Sequence, residues 1–417
     1  MTFFQILAVV LTATAFFAYL NYRFLRLPMV IGVMVLALAT SLIVIGLDGF
    51  GLSLADGAAR LIAEIDFDDT LLHAMLGPLL FAGALFVNLD DLLAQKWTIL
   101  LFATVGVALS ILLVGLMLFH LAGALGLDIP WTWCLVFGAL ISPTDPIAVL
   151  GILRKLGVSK RLETKFTGES LFNDGVGVVA FLILLEIVAG GDAGAIHVAS
   201  LFVVEVGGGV ALGLVLGLAV YWLLKRVDNY QVEILLSLAL ITGGYAVSEM
   251  LHLSAPIFAV VSGLLIGNVG RRYAMSEHSR EHLDTFWELV DETLNALLFV
   301  LIGVEVLVLN YPTGALPLGV SAIVVVLLAR FVGIGFLVGL LRARRRFSPH
   351  SVTILTWGGL RGGISVALAL SLPPNPWRDY LVTITYIVVS FSIIAQGLTI
   401  GPLIARANAD SSNPTSD

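Results

Sequence analysis

Charge is what this 417-residue chain has least of: Asp, Glu, Lys and Arg make up only 12% of it. A soluble domain carries roughly twice that fraction. Cysteine is nearly absent. Cys134 stands alone, which excludes an intrachain disulfide and leaves the redox compartment unread. The sequence holds no Walker P-loop and no Gly-x-Gly-x-x-Gly. It has no Cys/His cluster at metal spacing, since His120, His197 and His252 are scattered. These absences argue against ATP-driven transport by this chain alone. No basic domain or stripe is present, which argues against a nucleic-acid partner. Met1-Thr2-Phe3-Phe4-Gln5 carries no positive segment, so no cleaved signal peptide is expected.

Apolar residues are abundant instead, at 59%. They come in runs of about 20, the length that crosses a bilayer as a helix. The predicted fold is an all-α polytopic membrane protein with thirteen spans, at roughly 3–22, 28–47, 70–89, 97–122, 131–153, 165–189, 195–223, 230–250, 255–270, 283–308, 316–341, 350–372 and 379–405. The stretch 52–65 is too polar to span and is expected at the interface. Loops are short, so residues 1–406 read as one transmembrane domain. Residues 407–417 are polar and read as a short disordered tail.

The basic residues test this count. Alternate loops hold eighteen of the twenty-two Lys and Arg residues, among them Arg23, Lys96, Arg154, Lys155, Lys225, Arg271, Arg344, Arg345 and Arg346. The other loops hold only Arg60 and Arg378, while Arg330 and Arg361 fall inside spans. By the positive-inside rule the N-terminus lies outside and the C-terminus in the cytoplasm. That result requires an odd number of spans.

One stretch concentrates the polar groups: Gly168-Glu169-Ser170-Leu171-Phe172-Asn173-Asp174-Gly175. Ionisable residues inside an apolar span are a functional signal by default. On a helix, Ser170 and Asp174 stand one turn apart on one face. Glu169 and Asn173 do the same on a face rotated by about 100°. Asp174 lies about ten residues into its span, hence roughly 15 Å from the cytoplasmic end. A carboxylate so deep is stable with a proton or a cation upon it.

Two spans read as broken. The fifth contains Ser142-Pro143-Thr144-Asp145-Pro146. Each proline lacks an N–H and clashes with the carbonyl four residues before it. The twelfth contains Gly358-Gly359-Leu360-Arg361-Gly362-Gly363, and its glycines weaken a helix. The two spans run in opposite directions. That pattern predicts an inverted repeat whose interrupted helices meet near the midplane. There Asp145 can neutralise positive helix N-termini, and Arg361 negative C-termini.

Thr144-Asp145-Pro146, then Glu169-Ser170-x-x-Asn173-Asp174-Gly175, then Gly359-Leu360-Arg361-Gly362-Gly363 resemble the monovalent cation:proton antiporters of the NhaP and sodium/proton exchanger type. The resemblance runs from the third span to the twelfth. It implies the NhaA-like antiporter fold, a homodimer and a bacterial-type inner membrane. It implies an ion site at Asp174, Ser170 and Thr144, with Na⁺ as the bound metal. Asp145 acts through water or as a helix-end charge, and Asn173 in place of an aspartate goes with electroneutral exchange. Glu169 pairs with an arginine of the eleventh span, here Arg330. One position departs from the pattern. Family members often carry glutamate in a third-span Leu-Phe-Glu-Gly-Ala-Leu, where this chain has Leu80-Phe81-Ala82-Gly83-Ala84-Leu85.

Each residue also has a plainer reading. Asp174 can be helix glue, although a hard cation prefers oxygen ligands of the kind offered here. Asp145 is a ligand or a helix-end charge. Arg361 is structural, because a permanent cation repels a cationic substrate. Arg330 either pairs with Glu169 or snorkels to the cytoplasmic face. Asp284, Glu288, Asp291 and Glu292 form either a cation funnel or a solvated helix start. The expected activity is secondary antiport of Na⁺ or Li⁺ against H⁺ in a lipid membrane, with no enzymatic step and no cofactor. A K⁺/H⁺ antiporter on the same scaffold is the rival in transport. An intramembrane aspartyl protease using Asp145 and Asp174 is the rival from another class. A channel is disfavoured, because no repeated filter sequence is evident.

Overall fold

The structure is a computed structural model that describes residues 3–48, 70–145, 149–150, 160–191, 194–342 and 350–412. The polar stretch 52–65, Pro146, and the basic residues Arg60, Arg154, Lys155, Arg344, Arg345 and Arg346 lie outside the described residues, as do residues 413–417.

Helices follow one another along the chain: α1 (Phe3–Leu20), α2 (Met29–Asp48), α3 (Leu76–Leu85), α4 (Leu89–Leu101), α5 (Val107–Ala124) and α6 (Trp131–Leu140). Then come α7 (Lys160–Val188), α8 (Ala195–Leu224), α9 (Tyr230–Met250), α10 (Ala255–Leu265) and α11 (Glu277–Glu305). The last are α12 (Ala315–Arg342), α13 (Ser351–Trp357), α14 (Gly363–Leu370), α15 (Arg378–Phe391) and α16 (Gly397–Ser412). Local chemistry sets several starts. The side chains of Asn88, Asn229, Ser254 and Ser276 each accept a hydrogen bond from a backbone N–H of the helix that follows.

Among the described residues, eight helices are long and apolar enough to cross a membrane, one of them Leu89–Ala124, where a wide turn joins α4 to α5. The other predicted spans are built differently. The third and ninth are the helices α3 and α10, each extended by an adjoining wide turn, so that helical structure runs over 70–85 and 255–273. The tenth, α11, begins with a charged half, Glu277-His278-Ser279-Arg280-Glu281. The fifth and twelfth are interrupted. At the C-terminal end, α16 runs on to Ser412, into the stretch expected to be disordered. Ala405, Ala407 and Ala409 favour that continuation.

Three apolar cores hold the bundle together. The first joins α2, α5, α6, α11, α12, α14 and α15. The second gathers α3, α9, α10 and the start of α11, and the third α12, α13 and α16. Only a helix between all three can serve each of them. That helix is α7, which gives Val176 and Phe181 to the first, Leu171 to the second and Phe166 to the third. Small residues bring backbones together around it. At Gly138 on α6, a Cβ would come within 2.6 Å of the Ile111 carbonyl oxygen. The outward faces are apolar, as on α8 with Val203, Val204, Val215, Leu218 and Trp222 exposed.

Candidate ion-binding site

The two interrupted spans meet in the interior. Residues 142–145 and 359–362 leave the helical conformation, and Asp145 and Leu360 form an isolated antiparallel bridge. The Asp145 N–H donates to the Leu360 carbonyl oxygen at 2.8 Å. Pro143 lacks an N–H and glycine flanks Leu360 on one side, so each break frees backbone groups that the other can satisfy.

Charged side chains finish the crossing. Arg361, 2% exposed, reaches past the end of α6. Its Nη1 donates to the carbonyl oxygens of Ser142 at 2.5 Å and Pro143 at 3.1 Å. A guanidinium there answers the partial negative charge of a helix C-terminus. Asp145 does the reverse. Its carboxylate lies against Gly362, just before α14, where a Cβ would come 2.6 Å from Oδ2. A carboxylate at that end meets the partial positive charge of a helix N-terminus.

α7 presents its polar residues to this crossing. Ser170 Oγ donates to the Thr144 carbonyl oxygen, and Asn173 Nδ2 donates to Thr144 Oγ1 at 3.3 Å. Thr144, Ser170, Asn173 and Asp174 are all buried, with exposures of 2–7%. Asn173 thus reaches the same threonine as Ser170, although simple helical spacing puts it on the face of Glu169. Among the described residues, Asp174 Oδ1 and Asn173 Oδ1 have no hydrogen-bond partner. Buried polar atoms are rarely left so. Two unanswered oxygens beside two hydroxyls form a donor set that fits a hard cation or a proton. Asp145 and Arg361 both act electrostatically on Asp174.

Glu169 faces the other way. Its Oε1 lies 3.0 Å from Arg330 Nη2, and both side chains are under 10% exposed. Arg330 Nε also donates to the Leu355 carbonyl oxygen at 3.2 Å, near the end of α13. The guanidinium lies where a Cβ on residue 359 would have to go, so any side chain at Gly359 would have to displace it from Glu169. A cavity of about 20 Å³ separates this pair from α5 and is lined by Ser110, Ser142, Glu169, Asn173 and Arg330 among others.

Some supporting residues escaped the sequence reading. Ser392 Oγ accepts from the Arg361 N–H at 2.9 Å and donates to Gln396 Oε1 at 2.6 Å. Gln396 Nε2 then donates to the Trp357 carbonyl oxygen at 2.9 Å. The available signal was a serine and a glutamine one helical turn apart in an apolar span. Ala82 is fully buried in α3, whose next residue, Gly83, faces Leu171 of α7.

A family model described as the transmembrane sodium/hydrogen exchanger matches residues 12–406. The chain belongs to the sodium/hydrogen exchanger family. It is 48% identical to the Na⁺/H⁺ antiporter NhaP of Pseudomonas aeruginosa over 415 residues, 97% of each chain. It is 37% identical to the Na⁺/H⁺ antiporter NhaH of Halobacillus dabanensis, covering 85% of this chain and 87% of that one. Among solved structures, the sodium proton antiporter MjNhaP1 from Methanocaldococcus jannaschii at pH 8 superposes with a TM-score of 0.74 at 17% identity. That likeness covers 96% of this chain and 97% of the other, and it shows that the exchanger fold is shared. As a member of this family the chain is a multi-pass membrane transport protein.

Proposed function

We propose that this exchanger moves Na⁺ or Li⁺ one way and H⁺ the other, one for one, by competition for Asp174. The observation that carries the reading is a buried carboxylate with one oxygen unanswered, beside Thr144 and Ser170. Inside a membrane protein such a group marks an ion or proton pathway by default, and burial favours it with a proton or a cation bound. Asp174 holds either, with Ser170 and Thr144 as the further oxygen ligands. Asn173 orients the Thr144 hydroxyl and brings a dipole but no second titrating charge.

The neighbouring charges support a count of one. Arg330 balances Glu169, and Arg361 and Asp145 serve the helix ends. Among the described charges at this crossing, Asp174 is then the one left to exchange its partner. Asp145 is engaged at Gly362, which favours ion exchange over an aspartyl protease. The only bond made and broken in the cycle is the O–H of the proton carried on Asp174, and both ions leave chemically unchanged, so the reaction is transport and not enzymatic. The loaded carrier turns its site from one side to the other, and the cell gains control of internal pH.

The distribution of Lys and Arg supports an N-terminus outside and a C-terminus in the cytoplasm. The family resemblance supports a homodimer in a bacterial-type inner membrane.

Kinetics in proteoliposomes test this reading. Lowering pH protonates Asp174 and removes the cation site. The apparent KM for Na⁺ should then rise with little change in maximal rate. An imposed membrane potential should leave the rate unchanged. A rate that follows the potential would contradict the one-for-one count, and a fall in maximal rate at constant KM would contradict competition.

A further inference from the structure

We propose that Asp291 and Asn295 of α11 form a second cation site, a transit station between the exposed start of that helix and Asp174. The assignment of a small monovalent cation rests on the function proposed above.

Asp284, Glu288, Asp291 and Asn295 share one face of α11, within about 60° of each other at about 100° per residue. Their surroundings change along that face. Asp284 is answered by Arg271, to which it is hydrogen-bonded. Glu288 is exposed. Asp291 is half-buried, and Asn295 is 1% exposed. Among the described residues, no basic side chain pairs with Asp291. The charges that act on it are those of Asp145, Glu292 and Glu288, all carboxylates.

Asn295 supplies the independent observation. Its Nδ2 donates to the Asp291 carbonyl oxygen at 2.8 Å and to Asp291 Oδ1 at 3.1 Å. Both bonds need the NH₂ group, which fixes the amide orientation. Asn295 Oδ1 is therefore left beside the same carboxylate, buried and without a partner among the described residues. A carboxylate and an amide oxygen one turn apart are ligands that a hard cation accepts, with water completing its shell. Half-burial suits transit, because an ion that keeps part of its water can leave again. The charge of Asp145 acts on both Asp291 and Asp174, which couples the two positions electrostatically.

The test uses the whole protein in oriented vesicles, with the apparent KM for Na⁺ measured separately from each face. Asp291→Asn should raise it about tenfold from the face where α11 begins, the low end of electrostatic focusing effects. The opposite-face KM and the maximal rate should hold. Asn295→Leu leaves the carboxylate in place and should shift the same KM in the same direction, by less. Asp291→Glu should restore most of the affinity. Glu288→Gln should change little, since a diffuse funnel is not the claim. Unchanged kinetics in both Asp291→Asn and Asn295→Leu would overturn the proposal, as would an equal shift in Glu288→Gln. Asp174→Asn in the same vesicles separates the two claims. Exchange lost there with Asp291→Asn unchanged removes only the transit site. Exchange retained there removes the role given to Asp174.

Discussion

Arg361 of the twelfth span hydrogen-bonds the carbonyl oxygen of Ser142 in the fifth, Nη1 to O, at 2.5 Å. The same nitrogen also reaches the Pro143 carbonyl at 3.1 Å. Both acceptors exist because the fifth span stops being helical before Pro143. A residue in one half of the molecule therefore closes the break in the other half. The exchange is mutual, since Asp145 of the fifth span lies against Gly362 at the start of α14.

Arg361→Met should lower stability in detergent. It leaves two buried carbonyls without their donor, at on the order of 1–3 kcal/mol for each group. Arg361→Lys should fall between the two, because it keeps a charge but loses the planar fork. Thermal unfolding followed by tryptophan fluorescence reads the difference. A methionine variant as stable as the native protein would remove Arg361 from the crossing.

Glu169 and Arg330 give a double-mutant cycle. Glu169→Gln and Arg330→Ala should each destabilise, by about 3–5 kcal/mol where a buried charge is left alone. The double variant should cost less than the sum, since neither charge then remains. Strict additivity in unfolding would contradict the contact. Loss of transport in Glu169→Gln would not by itself assign an ion-binding role.

Ala82 tests the departure from the family pattern. It is fully buried in α3, beside the residue that faces Leu171 of α7. Ala82→Glu should fold and should change the preference among Na⁺, Li⁺ and K⁺, or the pH optimum. Transport measured with each cation reads this. An unchanged profile would show that residue 82 does not face the ion path.

These sites differ in how far the sequence reveals them. Proline at 143 and glycine at 358, 359, 362 and 363 act on the backbone directly, so the two breaks could be read without coordinates. Asp174 could be read because a carboxylate in an apolar run has few structural excuses. Asn173 was harder. Helical spacing set it with Glu169, and only the position of Thr144 draws it to the other side. Ser392, Gln396 and Asn295 were not legible as a group. Their roles depend on which carbonyl or carboxylate another span brings near, and no local pattern encodes that. The third and ninth spans could be read as helical stretches, but not the points at which α3 and α10 pass into wide turns, since an apolar run looks the same in either form.

The shared use of Asp174 by cation and proton is tested most directly by Asp174→Asn in proteoliposomes. A neutral amide mimics the protonated acid, so the variant should fold and melt close to the native protein. It should show no Na⁺-driven or Li⁺-driven proton movement in a vesicle with a pH-sensitive dye. Folded Asp174→Asn protein that still exchanges Na⁺ for H⁺ would contradict the account.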